Sequence, residues 1–171
     1  MWLLFPIIVL IIVIVLAVVK SRREIKEAVV LKEDTFNNLG KTLSMRYAVM
    51  QEMLELSEGY ISDENKYIVK LLQVKLVPIH ERFMVEAELI ETLKELIFDI
   101  EKVQEIKQSR QFFNLIKKLE KAEKNINEAN TYLNEKINDY NKLLIKFPNN
   151  IVAKFMKCKI EDNIDMEYIT I

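Results

Sequence analysis

Residue types that break helices or build catalytic sites are scarce in this chain. Its 171 residues include two glycines, three prolines, one cysteine and one histidine. So few glycines and prolines over this length predict long helices and argue against a sheet-rich fold. Two glycines cannot build a glycine-rich phosphate-binding loop, and one cysteine cannot form an internal disulfide bond. One histidine cannot supply a multi-histidine zinc site or the paired Glu-x-x-His motifs of a di-iron bundle.

An excess of charge of one sign is also missing, since 25 Lys and Arg oppose 26 Asp and Glu. A balanced chain has no single-signed field, which argues against nucleic acid as a partner. Charge runs such as Glu120-Lys121 with Glu123-Lys124 are interpreted as solvated helix faces, supported by opposite charges four residues apart.

His80 and Cys158 carry the most reactive chemistry, and the sequence places no candidate catalytic partner beside either of them. His80 precedes Glu81, but adjacent residues on a helix point about 100° apart and would not converge on a substrate. His80 is therefore expected at the surface or beside a kink. Cys158 is expected to be an inert, partly buried thiol, with a reactive or lipidated thiol as the alternative. These patterns predict no enzymatic activity, no cofactor, no metal site and no small-molecule substrate.

The first nineteen positions lack charged side chains, and residues 2–19 read WLLFPIIVLIIVIVLAVV. Eighteen helical residues at about 1.5 Å each span roughly 27 Å, close to the hydrocarbon thickness of a bilayer. The alternative, a cleaved signal peptide, needs basic residues before the run and a small-residue cleavage site after it. The run instead continues directly into Lys20-Ser21-Arg22-Arg23, a basic flank that belongs in the cytoplasm. Residues 1–20 are therefore predicted to be a single-pass membrane anchor with its N-terminus outside.

Beyond Lys20, apolar residues recur about every 3.5 positions, the period of helices packed in a bundle. Three long helical segments and a short fourth are predicted: to about Gly59, then 63–107, 110–147 and 151–159. The buried face of the second is predicted at Ile68, Leu72, Leu76, Ile79, Phe83, Ala87, Ile90, Leu93, Ile97, Ile100 and Val103. That of the third is predicted at Phe112, Leu115, Leu119, Ala122, Ile126, Ala129, Leu133, Ile137, Tyr140, Leu144 and Phe147.

Polar residues and prolines mark the ends of these segments. Pro78 should kink or split the second segment, because proline removes one backbone hydrogen bond and clashes with the preceding turn. Pro148 should stop the third segment. The predicted N-caps are Ser62 or Asp63 for the second segment, Ser109 for the third, and Asn149 or Asn150 for the fourth.

Short links between helices of similar length predict antiparallel neighbours. The expected fold class is all-α, an elongated antiparallel bundle of three long helices and a short fourth after the anchor. The predicted division is a 1–20 anchor, a 21–160 cytoplasmic bundle and a loosely ordered tail over 161–171. A long intermolecular coiled coil is the alternative.

Two stretches near the C-terminus resemble the signature of the LemA family. They are NEKINDYN at 134–141 and IKFPNN at 145–150, followed by Ala153. LSMRY at 43–47 with Gly59-Tyr60, LIF at 96–98 and FNL at 113–115 are similar to further stretches of that family. Leu133 and the VMQE stretch at 49–52 depart from its pattern, so the chain is interpreted as a divergent member. The motif residues, structural or partner-binding, are Asn134, Asp139, Tyr140, Asn141, Phe147, Pro148, Asn150 and Ala153.

The resemblance implies a membrane-anchored bundle of about four helices, and the family has no well-established biochemical activity. Tyr140 and Phe147 are seven residues apart, so they are expected to share a helix face and pack together. A partner-binding site at this end of the bundle is the alternative interpretation of the motif.

The leading functional prediction is a scaffold or adaptor whose helical surface binds unidentified protein partners, which an exposed apolar stripe would support. An enzyme with an unfamiliar site would need convergent ionisable groups. A protein that remodels or organises the membrane at the bilayer surface would need a basic helix face beside apolar residues. Lys154, Lys157 and Lys159, near Phe155 and Met156, are the candidates for such a face.

Overall fold

The computed structural model describes the backbone of residues 4–77 and 79–166, and their side chains except those of residues 4, 75 and 79–84. All regular secondary structure in these residues is helical, which confirms the all-α prediction. The helices are α1 (Leu4–Ser57), α2 (Glu64–Leu76), α3 (Ile79–Glu101), α4 (Gln104–Lys107), α5 (Arg110–Ile145) and α6 (Asn149–Phe155).

Helix α1 runs unbroken for 54 residues, from the apolar stretch into the charged part of the chain. It ends at Ser57, and Gly59 follows with a φ of 79°, a conformation that glycine adopts without steric cost. The Gly59 amide donates to Oε1 of Glu64 at 2.7 Å, which ties the turn to the start of α2. The predicted stop near Gly59 is confirmed.

The second predicted segment is divided into three helices. α2 ends at Leu76, and Val77 is extended, with φ −78° and ψ 131°, as expected before a proline. The interruption is therefore a split, although Pro78 itself lies outside the described residues. A second break follows α3, where Val103 is again extended, with φ −89° and ψ 101°. The prediction of one helix to Lys107 is wrong here, because the Val103 conformation interrupts the helical hydrogen bonds.

The structure confirms some of the predicted N-caps and contradicts others. Oγ of Ser109 accepts from the amide of Phe112 at 3.0 Å, which confirms Ser109 as the N-cap of α5. Asp63 occupies the N-cap position of α2 without a capping side-chain bond. Asn149 and Asn150 are wrong as caps, because α6 already begins at Asn149 and its N-cap position is Pro148. Nδ2 of Asn149 donates instead to Oε2 of Glu24, at 3.1 Å.

The predicted buried face of the third segment is largely confirmed. Its members from Phe112 to Leu144 are buried, except Ala129, which is half-buried. Phe147 is wrong, with 74% of its surface exposed, because α5 ends at Ile145 and helical spacing no longer applies.

On α2 the predicted face is wrong. Ile68, Leu72 and Leu76 are exposed, and the buried residues are Tyr67, Leu71 and Val74. On α3 the predicted Ile90, Leu93 and Ile100 are buried, whereas Ala87 is exposed. The predicted side chains of Ile79 and Phe83 lie outside the described residues.

The chain divides into two compact units. Unit 1 comprises residues 1–36 and 132–164, and unit 2 comprises 37–131 and 165–171. Ile25, Tyr140, Leu144, Val152 and Ala153 form the core of unit 1, so α1, α5 and α6 meet there. Unit 2 buries apolar residues from all five helices α1 to α5. They include Leu43, Met50, Leu93 and Leu119. The predicted boundaries at residues 20 and 160 stay predictions.

Among the described residues, α1 is the helix long and apolar enough to cross a membrane, and it lies near the N-terminus. Its most apolar 18-residue window has a mean hydropathy of 2.5, and 6% of that window is buried. The apolar side chains from Phe5 to Leu16 are exposed. This pattern supports a membrane anchor, because a core helix of a soluble protein would bury such side chains.

Candidate functional site

A buried cluster of charged side chains joins three helices of unit 2. Arg46 of α1, Glu86 of α3 and Glu123 of α5 are 0%, 2% and 5% exposed. Nε and Nη2 of Arg46 donate to the two oxygens of Glu123 at 2.6 and 2.7 Å, and Nη1 donates to Oε2 of Glu86 at 2.7 Å. The hydroxyl of Tyr47 donates to the other oxygen of Glu86.

The surrounding carboxylates keep Arg46 charged. Burial is the largest single influence on the pKa of Arg46 and lowers it, but the hydrogen bond and charge of Glu123, then the charge of Glu86, together raise it above its ordinary value. The planar guanidinium fits a carboxylate through two parallel bonds, which a lysine could not form. The cluster is thus a set of paired charges whose geometry depends on all three helices.

Sequence reasoning missed this cluster and assigned Glu123 to a solvated face, which is wrong. A signal was present in the spacing. Glu123 follows Leu119 by four residues and precedes Ile126 by three, so it falls on the buried face of α5. Glu86 precedes Leu89 and Ile90 by the same helical spacings. A carboxylate at such a position predicts a buried basic partner, and Arg46 is that partner.

In unit 1, two residues of the C-terminal motif lie in the core. Tyr140 and Ala153 are buried beside Ile25 and Leu144. Burial is the main cause that raises the pKa of Tyr140 to about 12, and the neighbouring Cys158 and Glu161 raise it further. Nζ of Lys32 lies 4.8 Å from the centre of the Tyr140 ring. Cys158 is half-buried, as predicted.

Two asparagines of the motif bind the chain beyond α6. Nδ2 of Asn134 donates to the carbonyl of Ile164 at 2.7 Å, and Oδ1 accepts from its amide at 2.8 Å. Asn141 forms the same pair of bonds with Glu161, at 2.7 and 3.0 Å. The two asparagines are seven residues apart, and each follows a buried residue of α5. This spacing was the sequence signal that they share a face of the helix. Residues 161–166 have no regular secondary structure, yet these amides attach them to α5; 167–171 lie outside the described residues.

The other motif residues do different things. Asp139 is exposed and pairs with Lys136 at 3.3 Å. Phe147 is exposed, so the predicted packing of Tyr140 against Phe147 is wrong, and Pro148 is the N-cap of α6. Oδ1 of Asn150 is buried without a hydrogen-bond partner among the described residues.

A model of the LemA family matches residues 35–169. The chain belongs to the LemA family. The resemblance seen in the sequence is thereby confirmed, and the match includes both the buried charge cluster and the C-terminal motif. No curated protein and no solved structure matches the chain.

Two surface grooves are further features of this LemA protein. The first lies in unit 2 and measures about 320 Å³. It is lined by Gln51, Leu54, Glu55, Glu58, Glu64, Ile68, Leu71 and Leu72. The second lies in unit 1 and measures about 310 Å³. It is lined by Ala17, Lys20, Ser21, Glu24, Leu143, Lys146, Phe147, Pro148 and Asn149.

In this LemA protein, the buried charge cluster and the two grooves are formed by different residues. Both grooves are lined by residues other than Arg46, Glu86 and Glu123. Within the described part of the chain, no group of three or more His, Cys, Asp or Glu side chains could hold a metal ion. The side chain of His80 lies outside the described residues, so its predicted surface position stays a prediction.

Proposed function

We propose that this LemA-family protein is a membrane-anchored adaptor without enzymatic activity, which binds a protein partner in the α1–α2 groove of unit 2. The observation that carries the proposal is an exposed apolar stripe on α2. Ile68, Leu72 and Leu76 are 41%, 51% and 84% exposed, and their four-residue spacing places them on one face of the helix. Contiguous exposed apolar surface of this kind marks interaction sites.

The composition of the groove favours one kind of partner. Leu54 and Leu71 are buried and form apolar wall, while Ile68 and Leu72 are open to solvent. Three carboxylates, Glu55, Glu58 and Glu64, belong to the lining, and its described side chains include no lysine or arginine. An amphipathic helix with an apolar face and flanking Lys or Arg would match both features. We therefore assign the groove to a basic amphipathic helix of a partner protein.

The adaptor is proposed to be an antiparallel helical bundle outside the membrane. Contacts within unit 2 support this arrangement. Residues later in α1 contact residues earlier in α5, as expected for antiparallel helices. Arg46 contacts Glu123, and farther along α1 Glu52 accepts from Lys118 at 2.5 Å. Between α2 and α3, Lys66 pairs with Glu95 and Lys70 pairs with Glu88, in the same opposed order.

The proposed orientation places the N-terminus outside and the bundle in the cytoplasm. Lys20, Arg22 and Arg23 directly follow the apolar run, which favours this orientation by the positive-inside rule. In cells, a C-terminal fusion to a fluorescent protein should fluoresce, and a C-terminal fusion to alkaline phosphatase should have no phosphatase activity. Active phosphatase with a dark fluorescent fusion would reverse the orientation.

The substitution Leu72→Asp in the full chain tests the groove. Leu72 is half exposed, so the substitution should change the thermal unfolding midpoint of the protein little. A charge in the groove should nevertheless abolish binding of the partner. The measurement is quantitative mass spectrometry of proteins co-purified with the full chain, beside a thermal melt followed by circular dichroism.

Two matched substitutions control this test. Leu71→Asp places the same charge on a buried neighbour and should destabilise the fold by several kcal/mol. Phe113→Asp alters an exposed apolar residue of α5 and should leave the co-purified proteins unchanged. If Leu72→Asp retains the same co-purified proteins as the natural chain, the groove is not the partner site.

Action at the bilayer surface as a membrane-organising protein is the second candidate. The observation that favours it is the exposed Phe155 beside the exposed Lys154 on α6. Deformation of vesicles by the purified full chain, seen by electron microscopy, would support this role. Undeformed vesicles at high protein density would exclude it.

A further inference from the structure

We propose that the α5–α6 turn and α6 rest on the bilayer that α1 crosses, as a docking surface for anionic lipid headgroups. This docking surface comprises Ile145, Lys146, Phe147, Ile151, Lys154 and Phe155. The inference rests on the membrane anchor of the proposed function, but it uses neither the groove of unit 2 nor a protein partner.

Position along α1 is the first argument. Within unit 1, Ala17 and Lys20 line one groove together with Lys146 and Phe147. The hydrogen bond from Asn149 to Glu24 fixes the start of α6 beside the same stretch of α1. Ala17 belongs to the last turn of the apolar run, and Lys20 follows the run directly. If that run fills the hydrocarbon layer, the α5–α6 turn lies at the depth of the headgroups.

Exposed apolar side chains are the second argument. Phe147 and Phe155 are 74% and 85% exposed, and Ile145 and Ile151 are also open to solvent. Ile151 and Phe155 are four residues apart and share one face of α6, while Val152 and Ala153 are buried in the core of unit 1. Helix α6 thus has one face against the protein and one apolar face that the described residues leave exposed. Such a face is the part of an interfacial helix that enters the boundary between headgroups and acyl chains.

The local charge is the third argument, and it selects the lipid. Residues 142–160 contain Lys142, Lys146, Lys154, Lys157 and Lys159 but no Asp or Glu. Residues 20–26 add four basic side chains and a single Glu. The whole chain is nearly neutral, so this positive charge is local to the two segments that flank the groove of unit 1. Clusters of Lys and Arg beside a membrane span bind anionic headgroups.

Tryptophan reporters in vesicles with bromine atoms on the lipid acyl chains test the proposal, since bromine quenches only an indole that reaches the acyl region. The full chain carries Trp2→Phe, so that each variant has one indole. With vesicles of phosphatidylcholine and phosphatidylglycerol, the emission of Phe147→Trp should shift to shorter wavelength and be quenched. Tyr132→Trp is the matched control, since Tyr132 is an exposed aromatic residue of α5. It lies thirteen residues before the helix end, about 20 Å along the axis, and should not be quenched.

A third reporter, Leu10→Trp, separates failure of the anchor from failure of the docking surface. If Leu10→Trp is quenched and Phe147→Trp resembles Tyr132→Trp, the docking surface is overturned and the anchor stands. If Leu10→Trp is not quenched, the anchor and the docking surface both fail.

The dependence on charge is measured separately. Quenching of Phe147→Trp should weaken in vesicles of phosphatidylcholine alone, and should weaken likewise when Lys146→Glu and Lys154→Glu are added. Equal quenching under all these conditions would overturn the assignment to anionic headgroups.

Discussion

Arg46 has no exposed surface, yet it keeps a full charge because two carboxylates from other helices surround it. Buried ion pairs add little stability compared with apolar residues of the same size, since desolvation offsets their attraction. Loss of one partner is different, because the remaining charges stay buried without compensation. We therefore expect the cluster to fix which faces of α1, α3 and α5 meet.

Arg46→Ala should lower the free energy of unfolding by about 3–5 kcal/mol, because it removes the guanidinium that pairs with the buried carboxylates of Glu86 and Glu123. Arg110→Ala, at the exposed start of α5, should change it by about 0.5 kcal/mol or less. Denaturant unfolding of the full chain in detergent, followed by circular dichroism, compares the two. Similar unfolding midpoints would show that the cluster does not stabilise the fold.

Tyr140 gives a prediction about pH. Its pKa rises from 10.0 to about 12 in the folded protein, so the folded phenol keeps a proton that the unfolded phenol releases. The resulting stability is fully present below pH 10 and is lost as the pH rises towards about 12. Tyr140→Phe removes this ionisation, so its unfolding midpoint should decline less over that range. Parallel declines in the two proteins would contradict the assignment.

At the scale of helices, α5 was predictable from the sequence and α2 was not. Helix α5 has one apolar stripe against a polar remainder, so period alone located its buried face. Helix α2 has apolar residues on adjacent faces, and a shift of one residue rotates the helix by about 100°. The face of Tyr67 is buried, and the hydroxyl of Tyr67 donates to Asp99 of α3 at 2.6 Å. Such a contact between distant residues has no local signal.

The residues of the candidate site were predictable only in part. The family motif located Tyr140 and Ala153, which are core residues, because sequence patterns record buried positions well. Phe147 was assigned to the core because the period was extended past the end of α5. Arg46 and Glu123 were missed because each is an ordinary charged residue until its partner is known.

The buried stripe of α5 can be tested directly. Leu119→Asp places a carboxylate at a fully buried position, which should cost several kcal/mol of unfolding free energy. Lys121→Asp makes the same substitution at an exposed position two residues away and should cost about 0.5 kcal/mol or less. Thermal melts of the two full-length variants measure the difference. Equal melting temperatures would show that the face of α5 is assigned wrongly.

The protein combines an exposed apolar stretch at the start of α1 with a largely helical remainder whose charges balance. The apolar stretch supports attachment to a membrane, and the remainder contains the groove of unit 2, which is lined by acidic and apolar side chains. Our central proposal is that this LemA-family protein acts by holding a partner helix in the α1–α2 groove.

Photocrosslinking from Leu72 in living cells tests that claim most directly. A photoreactive amino acid replaces Leu72 in the full chain, and in a matched strain it replaces Lys121 on the exposed face of α5. We expect a protein adduct from position 72 alone, joined through a peptide with an apolar helix face and flanking Lys or Arg, and lost when Glu55→Lys and Glu58→Lys are added. Equal adducts from both positions, or an adduct from position 72 that survives the charge reversal, would contradict the claim.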